Sequence, residues 1–177
     1  MLELLLLRHA KSDRGDPTLD DHDRDLAPRG VRAAALIGCT IRDRGLAPDL
    51  VLCSTARRAR RTWELVLAEL AAAPAMRDLA SLYLAPPERI LGIVRREGRG
   101  CARVMVVGHD PGLHRLTVAL AGSGDAGDLE RLGAKFPTAA LARLAFAAES
   151  WDAVAPGTGR LLDFLRPRDL KHERAGR

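Results

Sequence analysis

The chain has 177 residues, the length of one domain with a sizeable core, and its 47% hydrophobic and 29% charged residues are ordinary for a soluble globular protein. Three cysteines, Cys39, Cys53 and Cys101, are odd in number, widely spaced and without a C-x-x-C pair, which argues against a disulfide framework or a zinc site and fits buried thiols in a reducing compartment. The net charge of +5 admits nucleic acid, but it is carried almost wholly by arginine, and 3% aromatic residues are too few for a base-stacking platform, so a field that attracts anionic substrates is the better reading.

Strands and helices alternate along the chain, with no repeat, low-complexity tract or linker, which predicts a single α/β domain over 1–177: three layers, α/β/α, around a mostly parallel central sheet with antiparallel C-terminal strands. Residues 2–8 read as a central strand. Six apolar-rich residues interrupted by Glu3 are too short for a signal peptide or a membrane span, so a cytoplasmic protein with no membrane contact is expected. Residues 11–27 form a polar, Asp-rich loop, long enough to be a candidate functional loop. Pro28 opens a helix that ends near Gly45. Leu50 to Cys53 are the second strand, and Ser54 is expected to cap a helix from about 55 to 72. Pro86-Pro87 open another helix, closed by Gly98 or Gly100. Arg103 to Val107 are a strand, after which Asp110 as N-cap and Pro111 as first residue start a helix reaching Ala121. Residues 122–127 read as a Gly-rich loop, 140–147 as a strand, and 150–154 with 160–165 as a hairpin. The charged tail, 166–177, is expected to fray.

Two of these strands end the same way. Leu7-Arg8-His9-Ala10-Lys11-Ser12 follows Leu4-Leu5-Leu6, and Val107-Gly108-His109-Asp110-Pro111-Gly112 follows Val104-Met105-Val106. In open α/β sheets, ligands bind outside the carboxyl ends of the strands, so neighbouring strands would bring both imidazoles to one pocket. An unprotonated imidazole is a nucleophile near neutral pH, and attack on phosphorus would split one hard step into two through a phosphohistidine. A guanidinium matches phosphoryl oxygens bidentately, which makes Arg8 a candidate; a solvated strand end is the bland alternative for the Arg8-His9 pair. Ser54 to Thr62 also follows a strand and opens a helix, whose N-terminus attracts anions. Four arginines there cannot all face one ligand, and Arg58 is selected, with Arg57, Arg60 and Arg61 left to the surface. A metal site from His109, Asp110 and His114 is disfavoured, because an i,i+5 spacing does not align two ligands on one helix face. His22 and His172 read as surface residues.

These stretches resemble the histidine phosphatase superfamily, whose fold is phosphoglycerate mutase-like, and within it the small bacterial SixA-like phosphohistidine phosphatases. Leu7 to Ser12 is similar to the family's opening motif, Asp25 to Gly30 to its first helix start, Ser54 to Thr62 to its central arginine segment, and Val107 to Gly112 to its second-histidine motif. Leu82 to Ala85, Lys135 to Ala140 and Arg166 to Leu170 resemble stretches of the SixA-like branch. The resemblance implies that His9 is the nucleophile, that Arg8, Arg58 and His109 act on the phosphoryl oxygens with Ser12 as a further substrate contact, and that no metal or organic cofactor is used. It implies a phosphorylated protein as partner, such as a histidine phosphotransfer domain or a phosphocarrier, and a monomer or weak dimer.

Two departures bear on the substrate. Asp110 stands where relatives often have Asn or Glu. Mutase-like relatives carry a Glu general acid near the position of Leu82-Tyr83-Leu84, and here Asp78 and Glu88 only flank it. An alkoxide needs a proton from such an acid, whereas imidazole can leave protonated, so the gap favours a P–N bond over a sugar phosphate. A phosphatase for small phosphate esters, a catalytically silent phosphate- or phosphoprotein-binding module, and a nucleic-acid-binding protein are the competing readings.

Overall fold

The computed structural model describes residues 1–170. A seven-stranded sheet runs in the order β3-β2-β4-β1-β6-β7-β5, built from β1 (Leu2–Arg8), β2 (Leu50–Ser54), β3 (Ala75–Leu79), β4 (Arg103–Gly108), β5 (Ala121–Gly124), β6 (Leu141–Phe146) and β7 (Gly159–Leu165). β1, β2, β3 and β4 pair in parallel, as do β5 and β7, while β6 runs antiparallel to both β1 and β7. The sheet is therefore mostly parallel, with the reversal confined to the C-terminal strands.

The two apolar clusters explain the layering. Leu5 and Leu7 of β1 pack with Ala34, Ile37 and Ile41 of α1 (Pro28–Asp43) and Ala59, Trp63 and Val66 of α2 (Arg57–Leu67). Leu4 and Leu6 face the other way, onto Ile90 and Val94 of α3 (Pro87–Glu97), Leu113 and Leu116 of α4 (Gly112–Leu120) and Leu132 of α5 (Ala126–Ala134). A strand covered on both faces has no polar alternation, which is why Leu4 to Leu7 form an unbroken apolar run. In α2, Arg58, Ala59, Thr62, Trp63 and Val66 are buried at helical spacing, so the arginine that opens the helix is carried inward on its packed face.

Several expectations need correction. The second helix stops at Leu67, because the chain turns to add β3 as a largely exposed edge strand. Residues 122–127 are not simply a loop: β5 is a short edge strand, and Asp125 caps α5 by accepting from the Asp128 amide at 3.0 Å. The expected hairpin does not form; Trp151–Ala153 is a 3-10 turn, and β7 finds its partners in β6 and β5. Ser54 is not the N-cap of α2, a position held by Ala56, and Pro111 rather than Asp110 occupies the N-cap of α4, with the Asp110 carboxylate turned toward Arg8 instead. The start of the tail is packed, not frayed: Leu165 and Leu170 are buried and Arg166 pairs with Asp169 at 2.6 Å. Lys171, His172 and the rest of the tail lie outside the described residues.

Candidate active site

β1 and β4 are adjacent and in register, Leu7 opposite Val107 and Arg8 opposite Gly108. The next residue of each is a histidine, and the His9 amide donates to the Gly108 carbonyl at 3.0 Å, which carries the strand pairing up to the site itself. The imidazole centroids of His9 and His109 are 5.1 Å apart at a 53° tilt. Both rings are nearly shut off from water, at 8% and 2% exposure.

The hydrogen-bond partners assign the tautomers. His9 Nδ1 lies 2.8 Å from the Ala10 carbonyl, which can only accept, so Nδ1 carries the proton and Nε2 keeps its lone pair. Arg58 Nε donates to that Nε2 at 3.2 Å, and Arg58 Nη2 lies 3.4 Å from His109 Nδ1. A guanidinium has no acceptor, so His109 Nδ1 is also unprotonated and its Nε2–H donates to Ser54 Oγ at 2.7 Å. Burial, offset in part by the Ala10 carbonyl and reinforced by Arg58 and Arg8, pushes His9 down to about 4. Burial, then His9 and Arg58, push His109 down to about 3. Both rings are neutral near pH 7.

α2 ties this arrangement together. Thr62 Oγ donates to the Arg58 carbonyl at 2.7 Å and accepts from the Ala10 amide at 2.9 Å, locking the turn after His9 onto the first turn of the helix. Arg58 is 4% exposed. Its neighbours face elsewhere: Arg57 pairs with Asp25 at 2.8 Å, Arg60 with Asp78 at 3.6 Å and Arg61 with Glu64 at 3.1 Å.

His9, Arg58 and His109 are thus in direct contact. Arg8 is beside them but turned aside: its Nη1 donates to the Phe136 carbonyl at 2.6 Å and lies 3.6 Å from Asp110. Arg8 Nε and Asp110 Oδ1 are buried without a hydrogen-bond partner. Ser12 is not brought to the other three: its backbone forms an isolated bridge with Leu26, and no hydrogen bond links it to His9, Arg58 or His109. His114 stacks near Phe136 and bonds the Leu132 carbonyl at 2.6 Å, a structural role. Among the described residues no group of three or more His, Cys, Asp or Glu is placed to hold a metal ion, and no helix is long and apolar enough to cross a membrane.

Three residues of the site escaped the sequence reading. Asp21, in the long polar loop, accepts from Arg58 Nη2 and from the Tyr83 hydroxyl, each at 2.8 Å, while its backbone carbonyl accepts from Arg58 Nη1. Tyr83 stands edge-on to His109, with centroids 5.3 Å apart. His22 is not a bystander: it lies edge-on to Tyr83 at 5.0 Å and 3.1 Å from Thr55 Oγ1. The Tyr83 hydroxyl, then Arg58, hold Asp21 below the usual carboxylate range despite partial burial, so Asp21 is an anion and no proton donor. The only cue to it was the length of the loop, since its partners lie 37 and 62 residues away.

Two neutral imidazoles bracket a buried guanidinium at the ends of parallel strands, an arrangement whose chemistry suits a phosphoryl group. The family model of the histidine phosphatase superfamily (branch 1) matches residues 4–80. An uncharacterised protein of Mycobacterium tuberculosis strain H37Rv is 43% identical over 164 residues, spanning 92% of this chain and 100% of its own. Among solved structures, the "putative phosphohistidine phosphatase SixA" of Agrobacterium tumefaciens superposes with a TM-score of 0.79 at 31% identity, covering 94% of this chain and 98% of that one. The one so described from Nakamurella multipartitia gives 0.80 at 29%, covering 94% and 96%. The chain belongs to the histidine phosphatase superfamily and is SixA-like. Membership supports phosphatase activity.

Proposed function

We propose that the protein hydrolyses phosphohistidine on a cytoplasmic partner protein, without a metal, through a phosphohistidine of its own. The observation that carries this reading is the unprotonated His9 Nε2, fixed in that tautomer by the Nδ1–Ala10 bond and held against Arg58 Nε, whose hydrogen bond an incoming phosphoryl group would replace. Nε2 attacks phosphorus in line, the P–N bond to the substrate imidazole breaks as the bond to His9 forms, and the departing imidazole takes a proton from solvent, which the water of the second step returns. Water then attacks the phosphorus on His9, releasing phosphate and restoring the ring. Arg58 neutralises the equatorial oxygens, with His109 beside it and Arg8 swinging in from the Phe136 carbonyl.

The choice of a P–N bond is supported by what surrounds the site. Asp21 is ionised and the Tyr83 hydroxyl is committed to it, while burial and then Asp21 raise the Tyr83 pKa. Neither is a good acid for an alkoxide, whereas imidazole needs little help to leave. The names of the A. tumefaciens and N. multipartitia neighbours point the same way. The test is turnover of a phosphohistidine protein, phosphoramidate, phosphoserine peptide and 3-phosphoglycerate side by side, in the presence of chelator, with rapid quench of the first. The expected result is preference for the P–N substrates in kcat/KM and an acid-labile phosphoryl adduct on the His9 peptide, absent in His9→Ala. Faster hydrolysis of 3-phosphoglycerate, or activity that needs an added metal, refutes the reading.

A further inference from the structure

Beside the histidines lies an open cleft of about 900 Å3, sharing Arg8 with the site but lined by neither His9 nor His109. Its cations come from four separate parts of the chain: Arg8 and Lys11 at and just past the end of β1, Arg29 in the first turn of α1, Arg131 (paired with Asp128) and Lys135 in and just after α5, and Arg166 and Arg168 after β7. Among the described residues the lining holds a single carboxylate, Glu130. Asp169 balances Arg166 and Arg168, and Asp110 faces Arg8 at 3.6 Å. Lys11, Arg29 and Lys135 form no ion pair among the described residues. Burial first, and then the nearby Arg14, Arg29 and Arg8, lower the Lys11 pKa.

We propose that this cleft docks a carboxylate-rich stretch of the phosphoprotein, flanking its phosphohistidine. The proposal rests on the protein-phosphohistidine reading above. The cleft is far larger than a phosphoryl group, and its place next to the histidines suits the residues around the scissile group. Ala33, Ala134, Pro137 and Pro167 lie among the cations. Apolar floor between charged heads fits the stems and carboxylates of Glu and Asp side chains. Among the described residues no aromatic side chain lines it, so they offer no stacking surface of the kind a nucleotide or single strand would use.

The experiment uses the full chain and the double variant Arg29→Glu/Lys135→Glu, both positions exposed and outside the catalytic group. Steady-state kinetics are measured with phosphoramidate and with a phosphohistidine phosphotransfer protein, at low and at physiological salt. Phosphoramidate turnover is expected to be unchanged, while KM for the phosphoprotein rises about tenfold or more with kcat held, and the wild-type salt dependence of that KM flattens in the variant. Equal loss on both substrates, or no loss on the phosphoprotein, overturns the proposal. Binding of a fluorescein-labelled Glu-rich peptide, read by anisotropy, separates the two claims. If wild type ignores the phosphoprotein but binds the peptide, and the variant does not, the function reading fails and the docking surface stands. No peptide binding by wild type, or tighter binding of an oligonucleotide of the same charge, overturns the docking surface itself.

Discussion

Arg58 is the residue on which the site turns, because it alone among the described residues hydrogen-bonds both imidazoles. Removing a charge-assisted contact made in the transition state costs on the order of 2–4 kcal/mol. Arg58→Ala should therefore lose about a hundredfold or more in kcat, while Arg60→Ala, which loses only an exposed 3.6 Å pair with Asp78, should change little. Equal losses at both positions would mean a diffuse basic surface. Asp21 is the second decisive residue. Its carboxylate and carbonyl occupy both Nη atoms of Arg58, the same donors a phosphoryl group needs. An incoming dianion must displace or outbid that carboxylate against its negative charge. Asp21→Asn keeps the carbonyl contact and removes the charge, so tungstate and inorganic phosphate should inhibit the variant about tenfold more tightly, a shift of roughly 1.4 kcal/mol. Weaker inhibition would show that Asp21 chiefly orients Arg58.

At the scale of elements, the site depends on how closely α4 approaches the segment that carries Tyr83. A Cβ on Gly112 would lie 1.9 Å from the Ala85 carbonyl oxygen, so only glycine lets the first turn of α4 meet that backbone. Gly112→Ala should destabilise by about 1–3 kcal/mol, a fall of roughly 3–10 °C in Tm, and should loosen Tyr83 from His109. Gly92, inside α3, has nothing within 4 Å of the added methyl, so Gly92→Ala should raise stability by about 0.5–1 kcal/mol. Calorimetry of the two variants checks the pair, and a Gly112→Ala protein as stable as wild type would contradict the close approach. The elements that could be read in the sequence are the ones that obey a single pattern. β1 and β4 are doubly covered strands and show as unbroken apolar runs; α1 and α3 carry proline at their starts. β3 and β5 are short edge strands, mostly exposed, and carry no such pattern. The pairing of β7 with β6 and β5 could not be seen in 150–165 alone, since strand partners are a property of the whole sheet. His9, Arg58 and His109 were legible because each follows closely on the end of a central strand, whereas Asp21 and Tyr83 meet only through the folding of a long loop.

For the whole molecule, the same burial that keeps the histidines neutral makes stability depend on pH. Folding lowers His9 to about 4 and His109 to about 3, against about 6.5 in the unfolded chain. Below pH 6.5 the unfolded chain takes up protons that the folded one refuses, so stability falls as pH drops from 6.5 toward 4, and the contribution is fully present above 6.5. The slope approaches about 1.4 kcal/mol per pH unit for each ring. A second loss follows at lower pH, where carboxylates held down in the fold must take up protons. Burial alone would raise Glu3, but hydrogen bonds from Arg143 and Arg103 hold it below its usual range, and Asp21 is held down by Tyr83 and Arg58. Urea midpoints from pH 7 to pH 4 should therefore fall well before the carboxylates titrate. The double variant His9→Gln/His109→Gln should lose that early part of the decline and keep the later one. Were the variant to follow the wild-type curve across pH 6.5 to 4.5, the two rings would not be buried neutral, and the lone pair assigned to His9 Nε2 would lose its physical basis.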